Sequence, residues 1–264
     1  MMNILDFQKR KLAGQKISMV TCYDYSFAKI LAQTNVDTIL VGDSLAMTMH
    51  GHPHTLQATV ELMALHTQAV VRGAPNKFIV ADMPFLANRK GLTAVMNNVE
   101  KIMQTGAHAL KIENANGNLK LIHHLVNSGV PVMGHLGLTP QSVQVLGGYK
   151  VQGREQKAQE KIMQDALALQ EAGCFALVLE CVPNGLAKQV TEKLQIPTIG
   201  IGAGQETDGQ VLVLQDLLGM NTDFKAKFVR RYLNGEELIS SAINKFHGDI
   251  QSGRFPSEEE GYQS

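Results

Sequence analysis

Short apolar runs recur along the whole chain, and segments with helical spacing separate most of them. The runs predict strands at Ile17–Tyr23, Thr38–Asp43, Phe78–Asp82, Ala109–Glu113, Val130–Leu136, Phe175–Cys181, Pro197–Gly202 and near Val211–Gln215. The intervening periodicity predicts helices at Tyr25–Thr34, 59–73, 92–105, 117–128, 154–172 and 185–194. A polar lead-in covers 1–15, and a helical tail over about 223–252 is broken at Asn234-Gly235. Gly73, Gly106, Gly129 and Gly173 each fall where a periodic segment stops, the usual place for a residue that ends a helix. Two connections are long, 44–58 and 137–153.

Strands that alternate with helices imply a parallel sheet, because each crossover returns the chain in the same direction. Eight such units in this length suit a (β/α)8 barrel forming a single domain over 1–264 better than a doubly wound open sheet. The link between the last two strands is short and leaves little room for a full helix, so that unit is the least regular.

The chemistry sits at the strand ends. In Ala109-Leu-Lys-Ile-Glu113 side chains alternate, so Lys111 and Glu113 share one face while Leu110 and Ile112 share the other. A half-solvated strand would read the same way, but the pattern repeats: Asp43, Asp82 and Glu180 also close apolar runs, and His135 lies in the fifth strand. In a barrel these positions meet at the C-terminal mouth, where such folds hold their active sites. Several carboxylates in one small space need a cation to offset them. An all-oxygen set selects a hard ion, Mg²⁺, with Asp43 and Asp82 as the main ligands and Glu113 bound directly or through water. The plainer reading of each acid is a helix cap or a salt bridge. Lys111 is a counter-ion, a Schiff-base amine or a clamp for an anionic substrate; neighbouring carboxylates favour the ammonium and hence the clamp. Glu180 lies farther round the barrel and reads as a general base or as a capping residue beside Pro183. His135 is an auxiliary catalytic group or a satisfied core histidine.

Composition narrows the partners. Lys plus Arg number 24 and Asp plus Glu 24, so the zero net charge argues against a nucleic-acid or acidic-membrane binder. Hydrophobic residues are 44% and charged residues 18%, as a soluble protein with a substantial core requires. No run approaches the about 18 apolar residues that span a bilayer, and the N-terminus lacks a signal-peptide pattern. A cytoplasmic protein is the expectation. Cys22, Cys174 and Cys181 show no CxxC spacing and read as small buried side chains. Ile199-Gly-Ile-Gly-Ala-Gly204 reads as a tight strand-end turn rather than a phosphate cradle, since no Walker-type Lys follows. His50, His52 and His54 have zinc-like spacing without a further ligand nearby, and a mobile lid is the better reading of their loop.

Six stretches in order then carry a resemblance. They are Tyr23–Ala28, Val41–Leu45, Gly134–Ser142, Gly147–Arg154, Leu179–Pro183 and Ile199–Gly204, and together they resemble the ketopantoate hydroxymethyltransferase family from about residue 15 to the tail. The resemblance implies a (β/α)8 barrel assembled as a homodecamer. It implies transfer of a one-carbon unit from 5,10-methylenetetrahydrofolate to 3-methyl-2-oxobutanoate, giving 2-dehydropantoate. It puts Mg²⁺ on Asp43, Asp82 and Glu113, substrate on Asp43, Ser44, Asp82 and Lys111, and the proton acceptor at Glu180. The chain departs from the family in the 46–58 lid, where Pro53, His54 and Gln57 stand in place of an Asp, a Ser and a Pro. Loop closure and folate contact are the properties this touches. Two rivals stay open: another Mg²⁺-dependent 2-oxo acid or phosphoenolpyruvate lyase, which would turn over without folate, and a non-catalytic barrel that binds a small acid.

Overall fold

The computed structural model describes residues 2–222 and 226–262, and the chain divides after Val213 into two compact units. In chain order the first unit holds α1 (Ile4–Leu12), β1 (Ile17–Thr21), α2 (Tyr25–Ala32), β2 (Thr38–Val41), α3 (Leu45–Thr48), α4 (Val60–Gly73), β3 (Phe78–Asp82), α5 (Leu92–Met103) and β4 (Ala109–Glu113). It continues through α6 (Leu119–Asn127), β5 (Val132–Gly137), α7 (Val143–Leu146), α8 (Gln156–Glu171), β6 (Ala176–Glu180), α9 (Asn184–Lys193), β7 (Thr198–Ile201) and β8 (Gly209–Leu212). The strands follow one another round a closed barrel. Parallel pairing of β1 with β8, Ile17 opposite Gly209 and Val20 opposite Leu212, closes the ring and excludes the open sheet.

Closure fills the barrel with side chains. Ile17, Met19, Leu40, Phe78, Val80, Met133, Val178, Ile199 and Val211 form one buried cluster. Phe7 of the polar lead-in joins it at 0% exposure, with its ring edge-on to Phe78 at 5.3 Å and to Phe175 at 5.0 Å. The lead-in is therefore a plug: Asn3 and Asp6 form a capping box that starts α1, and the helix carries Phe7 into the core.

Several expectations need adjustment. Both long connections contain short helical turns, α3 with Thr55–Gln57 in the first and Pro140–Ser142 with α7 in the second. The last strand is Gly209–Leu212, two residues earlier than expected, and Leu214–Gln215 fall in a helical turn instead. Gly209 decides this register, because a Cβ there would lie 2.4 Å from the Ile17 carbonyl oxygen. Gly73 does not end α4 by a left-handed turn but lies within its last turn, where a Cβ would come 2.6 Å from that of Ala28. The short link between β7 and β8 holds no helix.

The second unit holds α10 (Leu214–Leu217) and α11 (Gly235–Gln251). Of the expected tail helix, 223–225 lie outside the described residues, and 226–234 are not helical. There the backbone bonds elsewhere: Tyr232 N–H donates to the Leu217 carbonyl and Gly235 N–H to that of Leu218. Asn234-Gly235 is thus the start of the helix, not a break in it. No helix of the described residues is long and apolar enough to cross a membrane.

Gly137 ends β5 at φ +96, and a Cβ there would lie 2.1 Å from the Glu180 carbonyl oxygen. Gly137→Ala is expected to cost about 2 kcal/mol, seen as a fall of roughly 4–8 °C in a melting curve. An unchanged melting temperature would show that the β5–β6 contact yields freely.

Candidate active site

Register places the polar residues level with one another. Asp82 lies opposite Lys111 across β3 and β4, Glu113 opposite His135 across β4 and β5, and Gly137 opposite Glu180 across β5 and β6. Asp43 follows two residues after β2, in the turn that opens α3, and its backbone N–H donates to Asp82 Oδ2 at 3.0 Å. Asp43, Asp82, Lys111, Glu113 and His135 are all 5% exposed or less, which for charged side chains demands compensation.

The compensation is visible. Lys111 Nζ lies 2.9 Å from Asp82 Oδ1 and 3.2 Å from His135 Nδ1. His135 stands between two acids, with Nδ1 3.4 Å from Glu113 Oε1 and Nε2 3.3 Å from Glu180 Oε2. Burial alone pulls the Lys111 pKa down, but Asp82, Glu113 and Asp43 outweigh it and hold the group above the usual lysine range. For His135, burial and the Lys111 ammonium oppose protonation, yet the Glu113 and Glu180 carboxylates raise the pKa to about 9. Burial, then Asp82 and Glu113, push Asp43 well above the usual carboxylate range. Burial also raises Asp82, against Lys111 and the Asp43 N–H.

Ser44 takes part through Tyr23, whose hydroxyl lies 2.8 Å from Ser44 Oγ. Burial raises the Tyr23 pKa to about 12, so its phenol stays neutral and fixes the serine hydroxyl. Glu180 is the accessible acid: its side chain is 17% exposed, against 2% for Asp82 and 3% for Glu113. The six residues singled out at the strand ends, and Ser44 that the resemblance added, therefore belong to one connected set. Two further members, Tyr23 and Gln141, have no such signal. Gln141 sits in the turn after β5, where its Nε2 donates to Asp43 Oδ2 at 2.8 Å and its N–H to Glu113 Oε2 at 3.1 Å. Both lie inside stretches that carry the family resemblance, but alternation along a strand could not reveal them.

Other candidates stand apart. His50 Nε2 meets His66 Nε2 of α4 at 2.9 Å, and His66 Nδ1 donates to the Tyr23 carbonyl at 2.5 Å. The cysteines are free thiols, Cys22 and Cys174 buried and Cys181 half-buried; burial pushes them up to about 11, 12 and 12. Ile199–Gly204 forms a tight turn with Gly202 and Gly204 at positive φ.

A divalent cation suits this donor set. Four acids face two cations, and Asp82 Oδ1 and Glu113 Oε1 are buried without a well-directed hydrogen bond. Among the described residues, however, no three His, Cys, Asp or Glu side chains already form an ion-holding cluster. Lys111 and Gln141 occupy oxygens of the set instead.

The ketopantoate hydroxymethyltransferase profile matches residues 1–258. The chain is 63% identical over 262 residues to the 3-methyl-2-oxobutanoate hydroxymethyltransferase of Bdellovibrio bacteriovorus, covering 99% of this chain and 100% of that one. It is 61% identical over 256 residues to the enzyme of that name from Coxiella burnetii, covering 97% and 96%. Among solved structures, a phosphonopyruvate hydrolase complexed with oxalate and Mg superposes with a TM-score of 0.64 at 11% identity, over 98% of this chain and 93% of that one, a likeness of fold alone. Identity of this order over the full length of both chains leaves one assignment: the chain belongs to the ketopantoate hydroxymethyltransferase family.

Proposed function

We propose that this chain transfers the methylene carbon of 5,10-methylenetetrahydrofolate to 3-methyl-2-oxobutanoate, giving 2-dehydropantoate and tetrahydrofolate with net consumption of one water. The observation that carries the reading is the connected set Asp43, Asp82, Lys111, Glu113, His135 and Glu180 at one end of a barrel whose curated relatives carry the name of that activity.

Asp43, Asp82 and Glu113 would hold Mg²⁺. Their oxygens suit a hard ion, and the burial and mutual repulsion that push the Asp43 pKa upward are what a divalent cation would relieve. The ion supplies Lewis-acid polarisation of the substrate carbonyl. The other groups bind and move protons. Lys111, kept as an ammonium by its acids, pairs with the substrate carboxylate, and Ser44, oriented by Tyr23, donates a hydrogen bond to it. The same protonation argues against Lys111 as a Schiff-base nucleophile, which needs a free amine. Glu180 takes the C3 proton of the 2-oxo acid, being the acid that substrate can reach, with His135 Nε2 3.3 Å from its Oε2. The resulting enolate carbon forms the new carbon–carbon bond to the folate-borne carbon, whose two carbon–nitrogen bonds break as water supplies the hydroxyl oxygen and the folate nitrogens take up the C3 proton and the remaining proton of water. Assembly as a cytoplasmic homodecamer completes the proposal. The decamer is what the family resemblance implies, and the stripe Ile239, Ile243, Phe246 and Ile250, which α11 leaves exposed at 44–60%, supports only that copies of the chain have an apolar face to share.

The test is proton NMR of 3-methyl-2-oxobutanoate in D₂O with protein and Mg²⁺ but no folate. The C3 proton signal should disappear, and EDTA should stop its loss. Glu180→Gln should slow the exchange by about 10²–10⁴ while leaving substrate binding in place; exchange at the wild-type rate would remove Glu180 from its role. Addition of 5,10-methylenetetrahydrofolate should then yield 2-dehydropantoate, whereas turnover without folate would favour a lyase. Lys111→Met should weaken 2-oxo acid binding by about 10- to 100-fold, read by calorimetry, and borohydride should trap no adduct on the wild-type protein. A trapped adduct would replace the clamp by a Schiff base.

A further inference from the structure

Asp82, Glu113 and Glu180 each end a different strand and Asp43 lies just beyond a fourth, and one uncharged residue touches two of these acids. Gln141 sits in the single turn Pro140–Ser142, on the loop that leaves β5. Its side-chain amide reaches across the mouth to Asp43, 98 residues away in sequence, at 2.8 Å, and donates also to the Met83 carbonyl at 3.0 Å. Its backbone N–H meets Glu113 Oε2. The turn itself is pinned: Asn114, at φ +68 just after Glu113, donates through Nδ2 to Ser142 Oγ at 3.1 Å and to Thr139 Oγ1 at 3.3 Å.

We infer that Gln141 is the positioning residue of the ion site, its amide fixing the rotation of the Asp43 carboxylate so that the second oxygen is presented to the cation. The inference rests on the ion-binding role proposed above for Asp43, Asp82 and Glu113. The physical need is specific to Asp43. The terminal torsion of an aspartate is soft and roughly two-fold. Asp82 is held by the Lys111 ammonium and the Asp43 N–H, and Glu113 by the Gln141 N–H and His135. Asp43 lies beyond the end of β2, where no ladder bond orients it, and the Gln141 amide supplies that orientation. The Met83 carbonyl takes a second hydrogen of the same amide, which fixes the plane of the donor in turn. Ligating carboxylates are commonly held by such outer hydrogen bonds, and removing the donor weakens metal binding by about 10- to 100-fold.

The experiment titrates Mn²⁺ into the substrate-free protein, follows loss of the free-ion electron paramagnetic resonance signal, and records a melting curve for each variant. Gln141→Met keeps length and shape but has no donor; Gln141→Asn keeps an amide one methylene too short to reach. Both should bind Mn²⁺ about 10- to 100-fold more weakly than wild type, with melting temperatures near that of wild type, since Gln141 is half-buried and outside the core. Asp43→Asn serves as the control. If it abolishes Mn²⁺ binding while both Gln141 variants bind within two-fold of wild type, the positioning role is wrong and the ion site stands. If Asp43→Asn itself binds like wild type, the ion site falls and the inference with it.

Discussion

Carboxylates that share a buried space repel one another, and the architecture of this barrel mouth follows from that repulsion. Asp43, Asp82 and Glu113 lose their water and approach one another, and burial with mutual repulsion drives the Asp43 pKa upward. An isolated buried charge of this kind would be severely destabilising. What makes the arrangement tolerable is the Lys111 ammonium at the level of Asp82 and the imidazole of His135 between Glu113 and Glu180. The balance remains short of positive charge. That shortfall is the physical ground for expecting a divalent cation there, more than any single acid is.

The barrel supplies the rigidity that such a set demands. Parallel register brings Asp82, Lys111, Glu113 and His135 to adjacent positions on neighbouring strands, so their spacing is a property of the sheet and not of flexible loops. At the opposite end of the strands, Phe7 seals the interior against Phe78 and Phe175. Loops do the finer work at the mouth. Gln141 closes on Asp43 from the β5–α8 connection, and Tyr23, from the β1–α2 turn, orients Ser44. On the proposed reading, strands hold the charged groups and loops tune them.

Much of this was legible beforehand because its causes are local. Alternation along Ala109–Glu113 sends Lys111 and Glu113 to one face whatever the rest of the chain does, and an acid that ends an apolar run marks the end of a buried strand. The plug, the start of α11 and the register of β8 were not legible. Phe7 looks like one apolar residue in a polar segment, and only the barrel's open end gives it a place. Residues 226–234 have a sequence compatible with helix, but Tyr232 N–H bonds to the Leu217 carbonyl at the end of α10 instead. Gly209 sets the last strand because of how closely Ile17 approaches, a contact spanning nearly the whole barrel.

The sequence by itself determined the alternation of strands and helices, the strand-end acids and the identity of the family, since these depend on neighbours along the chain and on motifs in order. The tertiary structure alone decided that β1 meets β8, that His135 bridges two acids, and that Gln141 reaches Asp43. Those are contacts between residues far apart in sequence, and their geometry is set by closure of the barrel, which no local pattern encodes.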